Sequence, residues 1–245
     1  MRATTGAIED FRLDPNSLEP IVLTVGRVKP RGICGSGLIN MVADLLECCV
    51  IGQNGKFHVD LPTRRIRRGA DGTEYVVAWA ADTAIGEDIV ITEADIDNLI
   101  RAKAAMFAGC WTLLQSVDLK PEDLDRVMIA GAFGSYINVE NGITIGLLPE
   151  LPLNRFHFVG NGSLLGARLI SLSNEMLDDA ERVAKMMTNF ELSENHAFMD
   201  HYMAALFLPH THTQIFPGVM DRIVCLRKEG ERRRQNEKCR LQSEE

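Results

Sequence analysis

Val127-Met128-Ile129-Ala130-Gly131-Ala132-Phe133-Gly134-Ser135-Tyr136-Ile137 is the stretch on which the fold turns. Its first four residues are an apolar run bounded by Asp125-Arg126 on one side and a glycine turn on the other, which suits a buried strand of a parallel sheet. Gly131 and Gly134 allow backbone angles closed to other residues and let another molecule approach the main chain. The same glycines equally suit a plain strand-to-helix connection, and the spacing alone leaves both readings open. A second unit of this kind follows. Phe156–Gly160 is a short apolar strand that enters Gly160-Asn161-Gly162 and continues into Ser163–Ile170, which has helical spacing. Set side by side, the two units place their turns at one end of a parallel sheet, where open α/β folds bind ligands.

Upstream, Ile8–Asp14 and Ile21–Val28 flank the turn-forming Asp14-Pro15-Asn16-Ser17 and read as a hairpin. Gly32-Ile33-Cys34-Gly35-Ser36-Gly37 then opens an amphipathic helix carrying Leu38, Val42, Leu45 and Leu46 on one face. A glycine-rich helix start exposes N–H groups and a partial positive charge suited to phosphate, although glycine there is often only a cap. Residues 50–90 read as a small β-rich insertion, with Arg64-Arg65-Ile66-Arg67-Arg68 as a basic patch, either a solvated strand or a face for an acidic partner. Thr92-Glu93-Ala94-Asp95 resembles a capping box and starts a helix reaching about Ser116. On that helix Lys103 shares the stripe of Ile100 and Phe107, where a lysine snorkels to the edge or reaches a ligand. Leu119–Leu124 is a turn with a short helix, and Asn141–Pro149 is a helical or looping apolar segment. Ser173 caps a helix whose face of Met176, Leu177, Ala180, Val183 and Met187 is expected to help cover the sheet, and Ser193 caps another.

A chain of 245 residues, 46% hydrophobic and 24% charged, has the make-up of a soluble globular protein with ample core. Its net charge of −8 argues against nucleic acid as a partner. No run reaches the ~18 apolar residues of a membrane span, and the N-terminus lacks the apolar core of a signal peptide, so a cytoplasmic location is expected. Cys34, Cys48, Cys49, Cys110, Cys225 and Cys239 contain no C-x-x-C pair and read as free thiols rather than a zinc or cluster site. His210-Thr211-His212 offers only adventitious metal binding, and no carboxylate pair or nucleophile–base pair stands out, so catalytic residues are not assigned.

Five segments together carry a resemblance: Gly32–Ile39, Ala102-Lys103-Ala104-Ala105, Ile129–Tyr136, Ile145-Gly146-Leu147-Leu148-Pro149 and Val159–Ala167. In composition and order they resemble the C-terminal part of the ATP-dependent reductive activators of corrinoid proteins. Those iron–sulfur proteins restore cob(II)alamin to cob(I)alamin on the corrinoid proteins of methyl transfer. The resemblance covers most of residues 1–225 and implies an α/β fold: an actin-like ATPase (ribonuclease H-like) lobe, with a mixed sheet covered by helices and the 50–90 insertion within it. Residues 226–245 are expected to form a charged, flexible tail. In the superfamily, which also holds actin and sugar kinases, a strand and glycine turn cups adenosine. That implies nucleotide contacts from Gly131, Ala132, Phe133 and Gly134, with Gly160 and Asn161 from the element joining the lobes. Lys103, or less directly Arg101, would stand near the adenine, and Gly32, Gly35, Ser36 and Gly37 complete the expected set. The implied cofactors are ATP with Mg and, in an N-terminal domain of a longer parent, an iron–sulfur cluster. The implied partners are a corrinoid protein and a second copy in a homodimer.

The sequence departs from that pattern in one respect that bears on activity. The superfamily's phosphate loops are Asp-x-Gly-Thr turns at strand ends, and here Asp71-Gly72-Thr73 lies in a polar turn. The chain therefore reads as the last lobe of a longer protein, with Met1 an internal residue of it. It is expected to hold the adenosine half of a site, to bind nucleotide weakly and to reduce nothing alone. Two other classes remain: an interaction or dimerisation lobe with a vestigial pocket, and a kinase of the sugar or acetate type, which would need a carboxylate base beside an acceptor pocket.

Overall fold

The structure, a computed structural model, describes residues 1–131, 137–192 and 195–224. Its strands lie in three sheets. β1 (Ala7–Leu13) pairs antiparallel with β2 (Pro20–Thr24) and parallel with β3 (Gly32–Ile33), giving a mixed sheet in the order β2-β1-β3. The hairpin is the one expected, but β2 ends at Thr24 rather than Val28. Gly26 and Arg27 turn the chain with φ of 79° and 53°, values incompatible with a strand.

α1 (Gly35–Glu47) packs along β1. Its buried Ile39, Met41, Val42, Leu45 and Leu46 meet Ile8 and Phe11 of the strand, and each such side chain contributes about 1.5–3 kcal/mol on leaving water. The 50–90 region supplies the antiparallel sheet β4 (Ile66–Gly69), β5 (Gly72–Ala78) and β6 (Ile89–Thr92). Tyr75, Ile89 and Ile91 join the same core. The basic run does not face outward as one patch: Arg65 is buried against Glu19 at 2.5 Å, and Arg67 pairs with Glu74 and Asp88. Both guanidinium groups also lie over the Trp79 ring.

α2 (Glu93–Ser116) begins with the full capping box, the Thr92 hydroxyl accepting from the Asp95 amide and the Asp95 carboxylate accepting from the Thr92 amide. Its first turns complete the first core through Ile96 and Ile100. Ala104 and Phe107 enter a second core with Ile143, Phe156, Phe216 and Val219.

β7 (Val127–Ala130) and β8 (Phe156–Gly160) pair in parallel, Val127 beside Phe156 and Ala130 beside Gly160. After β7 the chain re-enters at α3 (Val139–Thr144), which packs on α1. After β8 it enters α4 (Gly162–Leu172) and α5 (Asn174–Met186), capped by Ser173 as expected, which pack on each other. α5 does not cover the sheet. None of its residues is buried, nor any of α4, and Leu177, Val183 and Met187 face solvent. An amphipathic pattern shows that a face exists but not what covers it: this one meets α4 in part, and Leu177, Val183 and Met187 of it stay exposed. α6 (His196–Ala204) packs on α2 and is capped by Asn195; Ser193 lies outside the described residues. No described helix is long and apolar enough to cross a membrane.

Candidate functional site

The two glycine turns meet. The Gly131 N–H donates to the Gly160 carbonyl at 2.7 Å, so the strand pairing continues to the first residue of each turn. Gly131 has φ +96° and Gly160 φ +63°, and a Cβ at either would find no atom of the described residues within 4 Å. These glycines therefore serve backbone conformation, and no described residue occupies the space a side chain would take there. Asn161 spends its side-chain oxygen on capping α4, accepting from the Leu164 amide at 3.0 Å. The α4 N-terminus, with its partial positive charge, starts at this rim. Gly162 lies next to Ala130, the last residue of β7. Ala132, Phe133 and Gly134 lie outside the described residues.

The glycines before α1 have other surroundings. A Cβ on Gly37 would overlap the Ile8 carbonyl oxygen, so this glycine permits close packing of α1 on β1. Gly32 is a strand residue paired with Ala7, and Met1 lies against it. The Ser36 hydroxyl is buried 3.2 Å from the Cys34 thiol, which also donates to the Ile8 carbonyl. Gly35 borders a cleft of about 440 Å³ lined by Met1, Ile33, Cys34, Leu38, Val90, Ile91 and Asp95. That lining is mostly apolar and includes the Asp95 carboxylate, while the Met1 ammonium beside it donates to the Ile33 carbonyl.

Lys103 does not snorkel to the edge of α2. It is fully buried, and its Nζ donates to the carbonyls of Phe207 and Pro209 at 2.6 Å each. Burial lowers its pKa to about 7. The Pro209 carbonyl also abuts Gly146, at φ +75°, where a Cβ would overlap it. The lysine thus holds the 207–209 segment between α2 and the turn after α3, and contact with a ligand would require those bonds to break. Arg101 is on the solvent side of α2, bound to Asp97.

His210 is buried beside Lys103, with its ring 4.7 Å from that of Phe107. Burial first, then the Lys103 charge, lowers its pKa to about 4, so the imidazole is neutral. Among the described residues no group of three or more His, Cys, Asp or Glu could hold a metal ion.

Sequence reasoning passed over the polar links between α1 and α3. Asn141 donates to Asn40 at 2.8 Å, and Asn40 donates to the Asp10 carboxylate at 3.1 Å. At the other end of α3, the Thr144 hydroxyl donates to Glu47 and accepts from Arg222. The only sequence signal was a pair of buried-helix asparagines, and nothing in their separation of 101 residues marks them as partners.

The family described as the C-terminal domain of RACo, the ASKHA domain, matches residues 1–220. The corrinoid activation enzyme RamQ of Eubacterium limosum is 34% identical over 210 residues, which are 83% of this chain and 35% of that protein. The methylated amine-specific corrinoid protein Co(II) reductase of Methanosarcina barkeri is 32% identical over 124 residues, 50% of this chain and 23% of that one. A solved structure of a reductive activator for a corrinoid, iron–sulfur protein superposes with a TM-score of 0.84 at 49% identity, covering 89% of this chain and 35% of the other. The chain thus spans about a third of the length of relatives it matches.

Proposed function

The chain belongs to the family of the RACo C-terminal ASKHA domain, an actin-like ATPase fold, and on that premise we propose that it is the adenosine-holding lobe of an ATP-dependent activator of corrinoid proteins. In this reading the longer protein passes one electron to cob(II)alamin, giving cob(I)alamin, and couples that step to ATP. Reduction at cobalt(II) is uphill for ordinary cellular donors. ATP helps only if nucleotide-bound and nucleotide-free forms differ in affinity for the corrinoid partner. The iron–sulfur donor and the residues that hold Mg and the phosphates belong, in this proposal, to other parts of the longer protein.

The observation that carries the proposal is the Gly131–Gly160 rim. Gly131 and Gly160 lie side by side, and among the described residues nothing stands within 4 Å of where a Cβ on either would be. A purine and ribose can rest there without displacing a described side chain, and the N-terminus of α4 favours the negative end of the ligand. Titrating ADP into the chain tests it. Weak but saturable binding is expected, and Gly160→Val abolishes it.

A second reading is favoured by α4 and α5. Leu164 is 67% exposed, Leu172 74% and Met186 75%, an apolar surface of the kind that marks an interface. This surface suits a dimerisation or partner-docking role, with a second copy or the corrinoid protein seated on it. The readings are compatible, and a chain that associates but never binds ADP would leave only the second.

A further inference from the structure

We infer that residues 205–216 form a proton-sensitive strap, which joins the two cores while the basic groups buried beneath it are neutral and loosens as they take up protons. Both α2 and this segment cross the boundary between the cores. α2 places Ile96 and Ile100 in the first core and Ala104 and Phe107 in the second, with Lys103 fully buried between them. The strap places Leu208 in the first core and Ala205 and Phe216 in the second. Polar bonds fasten it along its length. The Leu208 amide donates to the Gln53 carbonyl at 2.8 Å, and the Thr211 amide to the Ala204 carbonyl at 3.0 Å. Lys103 holds the Phe207 and Pro209 carbonyls. The His212 amide donates to the His210 Nδ1 at 3.0 Å.

Two of these fastenings carry a titrating group. The His210 Nδ1 accepts from the His212 amide only while it has no proton of its own, so the neutral ring carries its proton on Nε2. A second proton goes to Nδ1, where it faces the His212 N–H and breaks the bond. Nothing offsets that loss at Nε2, which is buried and has no partner among the described residues. At Lys103 a neutral amine already has a hydrogen for each of its two carbonyls, so protonation adds a buried charge without a needed bond. The charged and titratable groups facing His210 are Lys103 on α2, His201 on α6 and His212 in the strap, all of them bases. No carboxylate of the described residues acts on either group.

Opening the strap puts both side chains in water, where they return to their ordinary range. In the closed form burial lowers Lys103 from 10.5 to about 7, and burial with the Lys103 charge lowers His210 from 6.5 to about 4. Opening therefore takes up one proton between about pH 7 and 10.5 and another between about pH 4 and 6.5. In each window the opening equilibrium rises about tenfold for every unit the pH falls, so the strap is held more firmly as pH rises.

Amide hydrogen exchange of the 245-residue chain, read by residue and corrected for the intrinsic rate at each pH, tests this. The amides of Leu208, Thr211 and His212 are expected to be at least about tenfold less protected than those of Val25 and Cys34, which bond to β1, because the strap opens without the whole chain unfolding. Their protection should fall about tenfold from pH 9 to 8, and about tenfold again from pH 6 to 5. Lys103→Met should remove the first fall and His210→Gln the second; a folded variant that keeps the fall it should lose overturns the inference. Where a variant does not fold, the unsubstituted chain decides. Strap protection that is constant across both windows, or equal to that of Val25 and Cys34 so that the strap opens only with the whole chain, also overturns it.

Discussion

The amide of Gly131 donates to the carbonyl of Gly160 at 2.7 Å, which ties the ends of two parallel strands into one rim. Among the described residues nothing stands within 4 Å of a Cβ at either glycine, so a substitution there separates conformational cost from ligand cost. Gly131→Val meets no neighbour but must adopt φ near +96°, which costs about 1–2 kcal/mol of stability. The added side chain stands where the purine would lie. ADP affinity is expected to fall by more than tenfold, beyond anything the stability loss explains. Urea denaturation and ADP titration on one preparation check both.

Gly37 is expected to behave in the opposite way. A Cβ there overlaps the backbone oxygen of Ile8, which cannot move aside without displacing β1. Gly37→Ala should cost about 3 kcal/mol or more by urea denaturation, the upper end for overpacking.

Lys103 gives a pH signature. Its folded pKa of about 7 lies below the ordinary 10.5, so the unfolded chain binds more protons between those values. Stability should therefore rise as pH climbs from 7 toward 10, with the full cost of burying the ammonium present below 7. Lys103→Met removes that rise. It also leaves the Phe207 and Pro209 carbonyls without their donor, which should lower stability by about 1–3 kcal/mol at pH 9. Thermal midpoints of the two proteins across this pH range test both statements.

Asp44 has the reverse sign. Burial raises its carboxyl to about 6, outweighing the Leu13 amide and Arg12, which lower it. The folded chain therefore binds more protons between about 4 and 6, and Asp44 makes stability fall as pH rises through that window. Asp44→Asn keeps an acceptor for the Leu13 amide and relieves the buried charge. It should leave the protein at least as stable at pH 7.5, with a shallower loss between pH 4 and 6.

The exposed faces of α4 and α5 bear on association. Leu172→Glu and Met186→Glu lie at surface positions and should change stability by no more than about 0.5 kcal/mol. Sedimentation should show self-association of the original chain weakened in both.

Much of this architecture is visible in the amino-acid order because its causes are local. The Thr92–Asp95 box, the Asp14–Ser17 hairpin turn and the two strand–glycine units each depend on residues within a few positions of one another. What the order hides is set by distant neighbours. Gly37 and Gly131 look alike in sequence, yet one lies hard against Ile8 and the other has no described residue beside the place of its Cβ. Lys103 occupies an apolar stripe, and the carbonyls that receive it come from 104 and 106 residues away. The α5 stripe promised cover for the sheet, but α5 packs on α4 and leaves Leu177, Val183 and Met187 exposed.

The most direct measurement is a nitrogen–proton correlation spectrum of the labelled chain recorded during ADP addition. The amides of Gly131 and Gly160 should show the largest shifts, moving together along one saturation curve, while the amide of Gly37 stays in place. No shift at either rim glycine at millimolar ADP, or shifts gathered at Gly35 and Gly37 instead, would contradict the account.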